Sequence, residues 1–171
     1  MEGHTTITSL HLDGEPKSLK GIKTIVVNQC GCYVRENIPI SFKLWKRSKA
    51  TDSDADIVPD TEKEMLWADV KWHFSFPEDK EELFKDWVMK KMVIYFHMFN
   101  KNLNKDFTKK GIVPDFEKKF KKQHPYWDAF VQYKLSEDIG KKTTQTKENA
   151  SKNKHFHHLG QGGYALAIPK W

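Results

Sequence analysis

Cysteine and arginine are scarce in this sequence, and long apolar runs are missing altogether. The two cysteines, Cys30 and Cys32 in QCGCY, lie one residue apart and make no disulfide framework, which fits a reducing, intracellular setting. The two arginines are Arg35 and Arg47. Base edges are read mainly by Arg, Asn and Gln, so sequence-selective DNA recognition would fall to Gln123, Gln132 or Asn149. The longest apolar stretch, MVIYFHMF, contains a histidine and is far shorter than the roughly 20 residues of a spanning helix. The N-terminal MEGHTTITSLHLDGE has neither a basic start nor an apolar run, which excludes a secretory signal there.

Aromatic residues, by contrast, are abundant: eleven Phe, six Trp and five Tyr in a chain whose mean hydropathy is -0.72. Each ring buries a large area, so a compact aromatic core under a charged surface is expected. The net charge of +6 is unevenly spread, with fourteen lysines against seven acids between residues 101 and 154. Residues 1–100 carry fourteen basic and sixteen acidic groups. A positive field confined to one stretch points to a polyanion, nucleic acid before an anionic membrane; the bland alternative is a lysine-rich face that only confers solubility.

Residues 1–20 show no sustained periodicity and read as a flexible leader. KTIVVN, QCGC and YVRENIPI then suggest two short strands and a turn, a small N-terminal β-hairpin around Gly31 that must lean on later helices. Pro39 opens ISFKLWKRS, a candidate short helix presenting Phe42 and Trp45, and residues 49–59 read as an acidic loop. Thr61 with Glu64 has capping-box spacing, and Leu66 and Val70 give the following helix its inner face. Asp79 with Glu82 repeats that spacing. Beyond it Phe84, Val88, Met92, Phe96, Phe99 and Leu103 recur every three or four residues, which predicts a central helix of about six turns.

After Gly111 and Pro114, Asp115 can cap a short helix, FEKKFKKQ, with Phe116 and Phe120 inward and its lysines outward. Pro125 suits the first turn of another helix, with Trp127, Phe130, Val131 and Leu135 on its apolar face. The polar stretch beyond Ser136 is either a solvent-exposed helix or a linker and belongs to no core. The expected fold is mainly α: a helical bundle over residues 21–138 with one long central helix and the small hairpin. A polar basic linker and glycine-rich tail occupy residues 139–171.

Five stretches in this order, VRENIPISFKLWKRS, EMLWADVKWHFSFPED, the long helix, HPYWDAFVQYKLSED and KENASKNKHFHHLGQGGYALAIPKW, resemble the transposase-like proteins of plant En/Spm (CACTA) elements. The resemblance covers about residues 33–171. It implies a mobile-element-derived nuclear protein of the DNA-binding or accessory type rather than the cutting enzyme. Such proteins usually continue past the glycine-rich motif into a charged, often coiled-coil region. The end at Trp171 and the QCGC turn depart from that pattern, and a truncated or degenerate copy is the expectation.

The chemistry-bearing residues favour binding over catalysis. Asp52, Asp54, Asp56 and Asp60 crowd one loop without the alternating strands that would converge carboxylates on two metal ions. His155, His157 and His158, even with Cys30 and Cys32, match no structural zinc spacing. GQGG lacks the strand, helix and lysine of a phosphate loop. The candidate nucleic-acid contacts are Lys118, Lys119, Lys121, Lys122, Lys134, Lys141, Lys142, Lys152 and Lys154, since phosphate contacts need charge more than fixed geometry. The scaffold beneath them would be Phe84, Val88, Met92, Phe96, Trp127 and Phe130. The sequence thus predicts a non-catalytic protein with no metal, cofactor or small-molecule substrate and no membrane partner. DNA bound with low specificity is the expected partner; the alternatives are an interaction module that docks a transposon-encoded catalytic protein, and a degenerate relic without selected function.

Overall fold

Six apolar residues at helical spacing set the spine of the molecule. In the computed structural model, which describes residues 5–17 and 21–151, they lie on one face of a 26-residue helix, α3 (Glu81–Asp106), preceded by a single 3-10 turn at Glu78–Lys80. All six are buried, Phe84, Val88 and Met92 completely. The protein is mainly α, as its periodicity predicts, and the described chain divides into two units, the boundary falling after Gln132.

The segment expected to be a hairpin is a helix, α1 (Ile22–Asn37). Its buried residues, Ile22, Val26, Cys30, Gly31, Tyr33 and Val34, fall at the helical period. Packing against α3 therefore overrides the β-branched propensity of TIVV. Gly31 marks a close approach rather than a turn: a Cβ there would stand 2.9 Å from the Tyr95 ring of α3. The β structure lies elsewhere, as a two-stranded parallel sheet of β1 (Thr5–Thr6) on β2 (Phe74–Ser75).

The described part of the expected leader is part of the fold. Ile7 and Leu10 are buried in the main core, and Leu10 bridges Pro16 around a turn. Gly14 closes that turn with φ of +86°, a conformation open to glycine at little steric cost. A Cβ at Gly14 would overlap the main-chain oxygen of Leu83.

Helix α2 (Asp60–His73) begins on Pro59 with no side-chain cap. The expected capping box at Thr61 and Glu64 is thus not formed, and Glu64 instead pairs with Lys85 at 2.9 Å. Leu66 and Val70 are fully buried. Trp67 packs against Phe76 and Phe84, and its indole N–H donates to Glu81 at 3.3 Å, so the buried ring keeps its polar end satisfied. The stretch after Pro39 forms no helix. It runs as irregular chain that bridges Leu44 to Ile57 and still buries Trp45.

A second aromatic core gathers at the far end of α3. Phe99 and Leu103 meet Ile40, Phe116 and two residues of α4 (Trp127–Leu135), Trp127 and Phe130. Phe107, Phe120 and Val131 pack on it from the side. In the second unit, α5 (Glu137–Ser151) is a helix, the first of the two forms open to this polar stretch. Residues 152–171, with the glycine-rich tail, lie outside the described residues.

Candidate nucleic-acid interface

The lysine-rich segment is not the regular helix its phenylalanines suggest. Asp115 accepts main-chain bonds from Lys118 and Lys119 at 3.2 and 2.9 Å, a single turn. Phe120 then takes the left-handed conformation, φ 62° and ψ 32°, and the chain re-enters as a 3-10 turn at Lys121–Tyr126 with Pro125 inside it. Proline removes a donor and restricts the residue before it, so an α-helix would not run smoothly through this point. Burial of Phe116 and Trp127 on either side, packed edge to face at 5.6 Å, decides the path.

Gln123 fastens this segment to the end of α1. Its side chain, 1% exposed, accepts from the Ile40 N–H at 3.0 Å and donates to the carbonyls of Arg35 and Ile38 at 2.8 and 3.0 Å. The last carbonyls of a helix lack internal donors, and a glutamine amide supplies two at once. Gln123, a sequence candidate for a base contact, is therefore committed to the main chain. Gln132 and Asn149 are exposed. Lys122 adds a hydrogen bond to Asn37 at 3.2 Å across the same junction.

Between α1 and this segment lies a cleft of about 380 Å³, lined by Arg35 and Glu36 on one side and by residues 117–122 on the other. Five cationic side chains and two carboxylates border it, together with Phe120. Lys118 pairs with Asp115 at 3.0 Å and Lys121 with Glu117 at 3.7 Å. These are exposed pairs within one segment, worth no more than about 1 kcal/mol each, so they yield readily to a phosphate. The Arg35 guanidinium rests on the Cys32 sulfur at 3.2 Å.

Four of the nine lysines singled out by sequence, Lys118, Lys119, Lys121 and Lys122, thus share one cleft. Lys134 and Lys141 belong to the second unit. The Lys134 ammonium lies 5.0 Å over the Tyr133 ring, and burial holds it below the ordinary lysine range. Lys141 is exposed on α5 beside Gly140, Thr144, Gln145 and Glu148. Lys142 lies on the same helix. Lys152 and Lys154 fall outside the described residues, as do His155, His157 and His158. Sequence reasoning missed Arg35. Its signal is the 3.6-residue spacing of Ile22, Val26, Cys30 and Val34, which places Arg35 in the last turn of a helix.

The acidic loop is used structurally. Asp52 accepts from the main-chain N–H groups of Ser48 and Lys49 at 2.9 and 2.7 Å, and these bonds hold its carboxyl below the usual range. Asp54 pairs with Arg47 and Asp56 with Lys43. Among the described residues no three His, Cys, Asp or Glu side chains gather in a way that could hold a metal ion. Burial pushes the Cys30 thiol up to about 12. No helix among the described residues is long and apolar enough to cross a membrane. No protein-family model, curated protein or solved structure matches the chain.

Proposed function

We propose that the protein is a non-catalytic nucleic-acid-binding protein, derived from a CACTA-type transposon and acting in the nucleus, that holds phosphates in the cleft between α1 and the lysine-rich segment. The observation carrying this reading is that Arg35 joins Lys118, Lys119, Lys121 and Lys122 around one concavity, though it is more than eighty residues away in sequence. Cations brought together from distant elements attract a polyanion more strongly than the same charges scattered over a surface. The transposon origin rests on the ordered motifs of the sequence alone.

A salt titration tests the binding. With about four phosphate contacts, log affinity for duplex DNA falls with log salt at a slope near -3.6, roughly 150-fold between about 50 and 200 mM. Replacing all four cleft lysines with Gln leaves Arg35 as the one cation of the cleft and flattens that slope to about -0.9. Binding that ignores salt, or survives the four substitutions, overturns the reading. The rival, a protein-docking module, would need a broad apolar surface. Its candidate anchors are exposed apolar side chains such as Trp72 on α2 and Ile94 and Met98, one turn apart on α3.

A further inference from the structure

We infer that the cleft takes an unpaired nucleotide of a single-stranded nucleic acid, with its phosphates on Arg35 and the lysines and its base against Phe120. The inference rests on the phosphate-binding reading and narrows it.

The geometry at Phe120 carries it. In a regular helix, at 3.6 residues per turn, Phe120 would point about 160° away from Lys118 and Lys122. The ring would enter the core and the ammonium groups would face water. The left-handed turn at Phe120 instead brings Phe120 and the four lysines to the border of one cleft, with the ring still packed on the second core. Bulky side chains seldom occupy that conformation, and residues that do cluster at ligand sites. The ring is also held in place: it packs on Phe99 with centroids 5.1 Å apart, yet stays only partly buried.

A groove that combines cations with a fixed aromatic face suits a strand whose bases are free to stack. Duplex DNA keeps its base faces inside the stack and offers only edges and phosphates. Of the residue types that read base edges, only Arg35, placed here on a phosphate, lines the cleft; no Asn or Gln does, and Gln123 is spent on the main chain. The ligand is therefore held by backbone charge and a π-face, without reading base edges. A volume of about 380 Å³ lies within the range of small-ligand clefts, roughly 300–1,000 Å³.

Fluorescence anisotropy of the full chain with four labelled probes tests this: a short oligothymidylate, the same strand made abasic, a duplex of matched length, and an inositol-lipid vesicle. At one salt concentration the intact strand should bind on the order of tenfold tighter than either the abasic strand or the duplex. The vesicle should bind no better than the abasic strand. Phe120→Leu should lose that roughly tenfold advantage for the intact strand and nothing for the abasic one. Intact and abasic strands bound equally, or a duplex or vesicle bound as tightly as the intact strand, overturn the inference. If the Gln variant of the four lysines weakens nucleic-acid binding in those cases, the phosphate reading still stands. No nucleic-acid binding at all overturns both. The abasic comparison uses the unaltered protein, so it decides the matter even where Phe120→Leu fails to fold.

Discussion

Gln123→Leu removes the fastening between the lysine-rich segment and α1 while nearly preserving side-chain volume. Three hydrogen bonds disappear together, those to the Ile40 N–H and the Arg35 and Ile38 carbonyls. The Ile40 and Ile38 groups are buried at this junction, so water does not replace the lost partner. At about 1 kcal/mol for each main-chain group left unpaired, the expected loss is about 3 kcal/mol. Urea unfolding followed by tryptophan fluorescence reads this as a fall in midpoint of about 1.5 M, for a slope near 2 kcal/mol/M. Heating should show a melting temperature lower by roughly 10 °C. Gln132→Leu, at an exposed position, is the control and should stay within about 0.5 kcal/mol. The folded Gln123→Leu protein should also bind oligonucleotide more weakly, because one wall of the cleft is no longer held to the other. A loss below about 1 kcal/mol, with affinity unchanged, would refute the role given to Gln123.

Two further substitution and labelling experiments probe the framework. Gly14→Ala forces a Cβ into the Leu83 carbonyl at a positive φ and should cost at least about 2 kcal/mol in the same urea assay; a silent substitution would mean that the first residues do not dock on α3. Thiol labelling of the native protein near pH 8, read by mass spectrometry, should modify Cys32, which is partly exposed, and spare Cys30 until urea unfolds the chain. Burial keeps Cys30 1% exposed and pushes its thiol up to about 12, which suppresses the reactive thiolate. Rapid native labelling of both cysteines would contradict the packing of α1.

Where burial and local preference agree, the sequence is easy to read. The α3 stripe from Phe84 to Leu103 combines strong periodicity with no internal Gly or Pro, and every predicted inward residue is buried. The segment around Gly31 misleads because its local features, β-branched residues and a central glycine, suit a hairpin, whereas its buried residues follow the helical period. Glycine there serves the approach of Tyr95, which no single segment reveals. The leader misleads for a similar reason: Ile7 and Leu10 are too few to show a period, yet both find the core, Ile7 beside the β1–β2 pairing and Leu10 beside the turn at Gly14. Among the cleft residues the four lysines are visible as charge. Their convergence with Arg35 depends on Gln123, whose role appears only when α1 lies beside it.

The break at Phe120 changes what those charges can do. On a continuous helix, Asp115, Lys118, Lys119 and Lys122 would share one solvated face, and any phosphate there would meet mobile ammonium groups with no wall behind them. With the helix interrupted, the same lysines border a concavity whose other side, Arg35, is carried by a packed helix. Asp115 and Glu117 partner Lys118 and Lys121 meanwhile, which relieves repulsion among like charges without burying any of them. An incoming phosphate exchanges one exposed partner for another at a cost of no more than about 1 kcal/mol. Its gain comes from meeting several cations at once inside a partly enclosed space, where screening by salt is weaker than on an open surface. Lysine ammonium groups are point charges without a planar fork, so with Arg35 on a phosphate, as proposed, such a cleft would grip backbone and leave base identity unread.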